Sequence, residues 1–132
     1  MNQYALLAIL ILAAFVFWTF IKNLSNSVGI KISHVDAKRR LDTEKGIILL
    51  DVRTKGEYLE KHIPKSTLIP VDDLANEAGR KLPDKNAEIF VYCRSGNRSA
   101  MAIKELLKLG YSRVYNLGGI VRWPYETVSG NK

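Results

Sequence analysis

One cysteine, two histidines and four prolines are all that this chain of 132 residues carries of those types. A single cysteine, Cys93, excludes an internal disulfide and a cysteine-rich metal site, and leaves no second thiol in the chain to resolve a modified one. His34 and His62 stand at no metal-ligand spacing from each other or from Cys93, so no metal or other cofactor is expected. His62 reads as the brace of a turn. No segment repeats and none is of low complexity. The basic surplus is +7, yet no RNA-binding or helix-turn-helix signature accompanies it. Scattered cations suit anionic lipid head groups or a small anionic substrate, so nucleic acid is not an expected partner.

Charge, glycine and proline are all missing from Tyr4–Ile21, "YALLAILILAAFVFWTFI". As a helix this run spans roughly 27 Å, about the hydrocarbon thickness of a bilayer. It is apolar all round, which an amphipathic surface helix is not. A cleaved signal peptide is the competing reading, with Ser25–Ser27 as a tolerable cleavage site. Against it, "MNQ" lacks the basic residue of such a leader, and the apolar run is longer than the usual core of one. The expected organisation is a transmembrane anchor over 1–22, a polar linker over 23–31 and a folded domain over 32–132. Lys22, Lys31, Lys38, Arg39 and Arg40 all follow the span and no basic residue precedes it. A single-pass protein of the cell membrane with its domain in the cytoplasm is therefore expected.

The apolar fraction of 47% suffices for a core even after the anchor is set aside. Beyond the linker, strand-like and helix-like pieces alternate. "GIKIS" reads as a short strand, and Ser33 caps a helix from His34 to Leu41. "GIILLD" is a strand covered on both faces, and "TKGEYLEKH" a short helix ended by the Ile63–Pro64 turn. "STLIP" is a weak strand, "VDDLANEAGRKL" a helix and "EIFVYC" a strand. "SAMAIKELLKLG" is an amphipathic helix closed by Gly110, "RVYNL" a last strand, and "GIVRWPYETV" a short closing helix interrupted by Pro124. Such alternation predicts an α/β fold: a central, mostly parallel five-stranded sheet flanked by helices, preceded by one transmembrane helix. Ligands of open sheets bind beyond the carboxyl ends of the strands, where Asp51 and Cys93 both fall.

The loop "CRSGNRS" joins a strand to a helix. Gly96 lets consecutive amides curl inward into an anion nest, and the helix start adds unsatisfied N–H groups. Arg94 and Arg98 add positive charge, and Ser95 and Ser99 add hydroxyls. A thiol in this field ionises readily, and the amides can hold an anion bound to it. The bland alternative is a small buried apolar residue; the conjunction of features argues against that. Cysteine phosphatases use a similar loop with five residues between cysteine and arginine, whereas four separate Cys93 from Arg98. The smaller cradle fits one sulfur on the cysteine better than a tetrahedral oxyanion, so sulfur transfer is favoured over a phosphatase- or arsenate-reductase-like activity.

At four places the chain resembles the rhodanese family, over about a hundred residues from near Ile32 to the C-terminus. These are "DVRTKGEY" (Asp51–Tyr58), "KHIPKS" (Lys61–Ser66), "VYCRSGNRS" (Val91–Ser99) and "NLGGIVRW" (Asn116–Trp123). The resemblance implies a single-domain sulfurtransferase that moves a sulfane sulfur from thiosulfate or a persulfide donor to a thiophilic acceptor through a persulfide on Cys93. Arg94, Ser95, Gly96, Asn97, Arg98 and Ser99 match the substrate-binding loop, whose six-residue length is that of active members. The two arginines would attract a small anionic sulfur donor; the acceptor would be a thiol or a protein. A persulfide-carrying or persulfide-sensing module at the membrane is the alternative from another class. Asp51 and Arg53 read as structural, and the spacing of Arg53 and Glu57 allows an ion pair along a helix face. One departure stands out: Lys61 and Lys65 replace glycines common around His-Ile-Pro, which puts the shape of that turn in question.

Overall fold

The two most apolar strand segments end up at the centre of a sheet, because only there are both of their faces covered. A computed structural model describes residues 2–26 and 29–131. Its elements, in chain order, are α1 (Gln3–Asn26), β1 (Ile30–Lys31), α2 (His34–Thr43), β2 (Ile48–Asp51), α3 (Lys55–Glu60), β3 (Thr67–Leu68), α4 (Leu74–Lys81), β4 (Ile89–Cys93), α5 (Asn97–Lys108) and β5 (Val114–Gly119). The strands are all parallel, in the order β1-β5-β4-β2-β3. The expected α/β architecture is present.

Every residue of β4 is buried, and its alternate side chains serve two cores. Ile89, Val91 and Cys93 join Leu74, Ala78, Ala102, Ile103 and Leu106 of α4 and α5. Phe90 and Tyr92 face the other way, toward Ala37 of α2, Leu117 of β5, and Ile120 and Trp123 in the chain after it. Trp123 and Tyr125 thus belong to packing on this second side, their rings 5.0 Å apart and edge-to-face.

Local signals place most boundaries. Ser33 Oγ accepts from the Asp36 amide at the start of α2. Thr54 and Glu57 form a reciprocal capping box on α3. Gly110, with φ of 99°, ends α5: its amide donates to Leu107 O and that of Tyr111 to Leu106 O. Two expectations are corrected. The segment after β5 is no closing helix but a single 3-10 turn, Ile120–Arg122, since the residue before Pro124 is held out of the helical region. The chain then runs back to pair Val128 with His62 in an antiparallel bridge. The expected helix over Val71–Leu82 likewise opens with a 3-10 turn, Val71–Asp73.

α1 is apolar and long enough to cross a membrane: Gln3–Lys22 has a mean hydropathy of 2.5, and none of it is covered by the rest of the chain. The helix runs on to Asn26, and β1 starts at Ile30, so both elements draw on the polar stretch read as a linker. Ser27 and Val28 of that stretch lie outside the described residues.

Candidate active site

β4 delivers Cys93 to the carboxyl edge of the sheet beside β2 and β5, where Asp51 pairs with Tyr92 and Cys93 with Gly119. From there the loop turns at once into α5. Gly96 makes the turn possible with φ of 114°, and its amide donates to Cys93 Sγ at 3.0 Å. Ser99, wholly buried in the first turn of α5, places Oγ 3.7 Å from the sulfur and 2.9 Å from Gly96 O. Cys93 itself is buried, beneath a rim on which Arg94, Ser95 and Asn97 are exposed.

Burial alone would push the Cys93 thiol up. The amides of Ser99, Gly96 and Ser95 and the Ser99 hydroxyl outweigh it, so the thiol lies below its ordinary value. The stabilisation of thiolate comes chiefly from oriented dipoles rather than from the guanidinium groups. Such a ring holds an anionic sulfur and can donate to a second sulfur attached to the first.

The two arginines have different fates. Arg94 is exposed and makes no ion pair among the described residues. Arg98 is clasped by Glu57 of α3 in a two-pronged pair, Nη1 to Oε1 at 2.6 Å and Nη2 to Oε2 at 2.9 Å. This overturns the expected Arg53–Glu57 pair. Arg53 precedes α3 rather than lying on it, and its guanidinium turns to Asp51, Nη2 to Oδ2 at 2.7 Å. Asp51 is fully buried, and an unpaired charge there would be costly. Arg53 also donates to Lys61 O at 2.7 Å, closing the end of α3.

Three contributors fall within motifs that the sequence singles out, yet none of them is assigned to the site from sequence. Asn116 Oδ1 on β5 lies 2.9 Å from Ser99 Oγ and accepts from the Gly118 amide, also at 2.9 Å. It is positioned by a register shift between β4 and β5 at Val91/Tyr92, which sets Gly118 opposite Tyr92. Gly119 backs the loop so closely that a Cβ there would collide with Arg94 O and come within 2.7 Å of Ser95 Cα. Glu57 is the third. Only the tertiary neighbourhood reveals these roles.

The remaining residues are structural. His62 is buried, its ring stacked on Tyr58 at 3.7 Å and its Nδ1 2.8 Å from Tyr58 O. His34 faces two carbonyls, Arg122 O at 3.0 Å and Leu117 O at 3.1 Å. The His-Ile-Pro segment closes a turn with the lysines in place: Ser66 N donates to Ile63 O, and Lys65 takes φ of 67°, where glycine is at ease. No group of three or more acidic, histidine or cysteine side chains that could hold a metal occurs among the described residues.

A rhodanese-like domain model matches residues 33–125. A sulfurtransferase of Allochromatium vinosum is 38% identical over 88 residues, 66% of this chain and 79% of that protein. The thiosulfate sulfurtransferase PspE of Escherichia coli is 34% identical over 71 residues, 54% of this chain and 68% of that one. YrkF of Bacillus subtilis, provisionally named a sulfur carrier protein, is 34% identical over 91 residues; the match takes in 68% of this chain but about half, 48%, of that relative. Among solved structures, the Alr3790 protein of Anabaena sp. superposes with a TM-score of 0.71 at 27% identity, over 76% of this chain and 94% of that one.

Proposed function

The chain belongs to the rhodanese-like family, whose named members include sulfurtransferases, and on that premise we propose that it transfers a sulfane sulfur through a persulfide on Cys93. The observation that carries this reading is the Gly96 amide aimed at Cys93 Sγ from 3.0 Å, within a loop whose neighbouring amides also favour the thiolate.

The Cys93 thiolate attacks the outer sulfur of thiosulfate; the S–S bond breaks and sulfite leaves with the bonding pair. The persulfide so formed, its terminal sulfur anionic, rests on the loop amides of Arg94 to Ser99. An acceptor thiolate then attacks that terminal sulfur and carries it away, returning Cys93 to the thiolate. Both halves are exchange reactions at sulfur, governed by thiolate fraction and leaving group. PspE, named a thiosulfate sulfurtransferase, supports thiosulfate as one donor. α1 would hold the domain at the cytoplasmic face of a membrane, within reach of a membrane-bound acceptor.

Treatment of the purified protein with thiosulfate, followed by mass spectrometry, tests the reading. A gain of one sulfur on Cys93, absent from Cys93→Ser, is expected; no gain with either thiosulfate or its singly charged analogue methanethiosulfonate, or an equal gain in the variant, would overturn it. Turnover of an aryl phosphate would instead favour a phosphatase, which the short loop disfavours.

A further inference from the structure

Glu57 is held on two sides. Within α3 its Oε1 accepts from the Thr54 amide at 3.3 Å and from the Thr54 hydroxyl at 3.1 Å. Across the site the same carboxylate takes both terminal nitrogens of Arg98. A carboxylate fixed by its own helix cap is a rigid partner, and a two-pronged pair leaves the guanidinium little freedom to turn elsewhere. Arg98 belongs to the first turn of α5, next to Ser99, and negative charge on Cys93 is among the influences that favour its charged form, after the Glu57 carboxylate. Of the two cations that the loop carries in sequence, one is therefore matched by an anion and one, Arg94, is not.

We infer that Glu57 is a specificity-determining residue: by cancelling the charge of Arg98 it limits the cysteine loop to one effective cation and suits it to sulfur donors with a singly charged head. This deepens the sulfur-transfer reading and, as a statement about donors, rests on it. A dianion such as thiosulfate gains from each uncompensated cation twice what a monoanion gains, so the balance between donor classes depends on the number of free charges at the loop. Thr54 and α3 supply the rigidity; Glu57 supplies the charge.

Cys93 is the chain's only cysteine, so alkylation of the full chain in non-ionic detergent reports on this site alone. The ratio of its rates with iodoacetate, an anion, and iodoacetamide, neutral and of similar size, cancels thiolate fraction and nucleophilicity and leaves the charge of the loop. Glu57→Gln should raise that ratio on the order of fivefold, and Arg98→Gln should lower it similarly; both changes should shrink in high salt. The double variant, again neutral at the pair, should return to within about twofold of the parent. A loss of mere support would slow both reagents alike. The same order should appear in loading of Cys93 by thiosulfate relative to methanethiosulfonate, its singly charged analogue. Ratios that do not move in the single variants, or that fail to return in the double variant, would overturn the role of Glu57 while leaving sulfur transfer standing. Failure of both donors to load the parent protein would overturn sulfur transfer, and the donor assignment with it.

Discussion

Ser99 Oγ stands as a hydrogen-bond donor to Asn116 Oδ1 at the foot of the cysteine loop. Ser99 Oγ lies 2.9 Å from Asn116 Oδ1, 2.9 Å from Gly96 O and 3.7 Å from Cys93 Sγ. A hydroxyl has one hydrogen and can rotate. With a neutral thiol it can satisfy a carbonyl; once the sulfur is ionised, the sulfur becomes the strongest acceptor within reach.

Ser99→Ala removes one of the groups that hold the Cys93 thiol below its ordinary value, while leaving the loop amides in place. The pH midpoint of Cys93 alkylation should rise, and alkylation near neutrality should slow severalfold. A pH series with iodoacetamide reads both. A midpoint that stays put would show that the amides alone set the thiolate.

Gly119→Ala should disturb the site from behind. The added methyl must displace Arg94 and Ser95, backbone atoms that have no flexible end to yield. Overpacking of this kind costs about 1–3 kcal/mol of stability. Misplacing the loop amides by an ångström should slow sulfur loading on the order of a hundredfold. Denaturant melts and mass-resolved loading separate the two effects.

The Glu57–Arg98 pair should make the domain acid-sensitive. The Arg98 guanidinium, together with the Thr54 amide, holds the Glu57 carboxyl at about 2, against an ordinary 4.5. A carboxyl depressed on folding stabilises the protein above its unfolded value and loses that contribution as pH falls through the folded one. The loss should therefore run from about pH 4.5 down to about pH 2. Discounted for solvent screening, it amounts to on the order of 1 kcal/mol. Glu57→Gln should flatten stability over that window, as read by urea melts at successive pH values.

Lys65→Gly should stabilise the fold. Lys65 holds φ of 67° at the third position of the Ile63–Ser66 turn, and its side chain is exposed. The left-handed conformation costs a residue with a Cβ roughly 1–2 kcal/mol, offset in part by the greater chain entropy of glycine when unfolded. A net gain of about 0.5–1 kcal/mol is expected, visible as a melting temperature raised by a few degrees. An unchanged or lowered melting temperature would mean that the lysine carries a compensating contact.

Much of the architecture was legible because its signals are local. Ser33, Thr54 and Gly110 act within three or four residues of themselves, and the alternation of apolar runs with amphipathic ones survives any detail of packing. The Pro124 segment was misread because its apolar and aromatic residues fit a helical pattern, whereas its backbone is drawn off by proline and by pairing beyond it. At the site, the loop from Cys93 to Ser99 was legible for the same reason as the caps. Its electrostatics were not: spacing offered Arg53 as the partner of Glu57, and the fold supplied Arg98, 41 residues away.

By itself the sequence determined a lone thiol at a strand end, the glycine that turns amides toward it and an apolar helix of membrane length, since each follows from the conformational limits of neighbouring residues. The tertiary structure alone decided which charges cancel and which side chains support the nucleophile. Strand order brings α3, β5 and the loop together at one edge of the sheet, and ion pairs and buried hydrogen bonds form between whatever the fold leaves side by side.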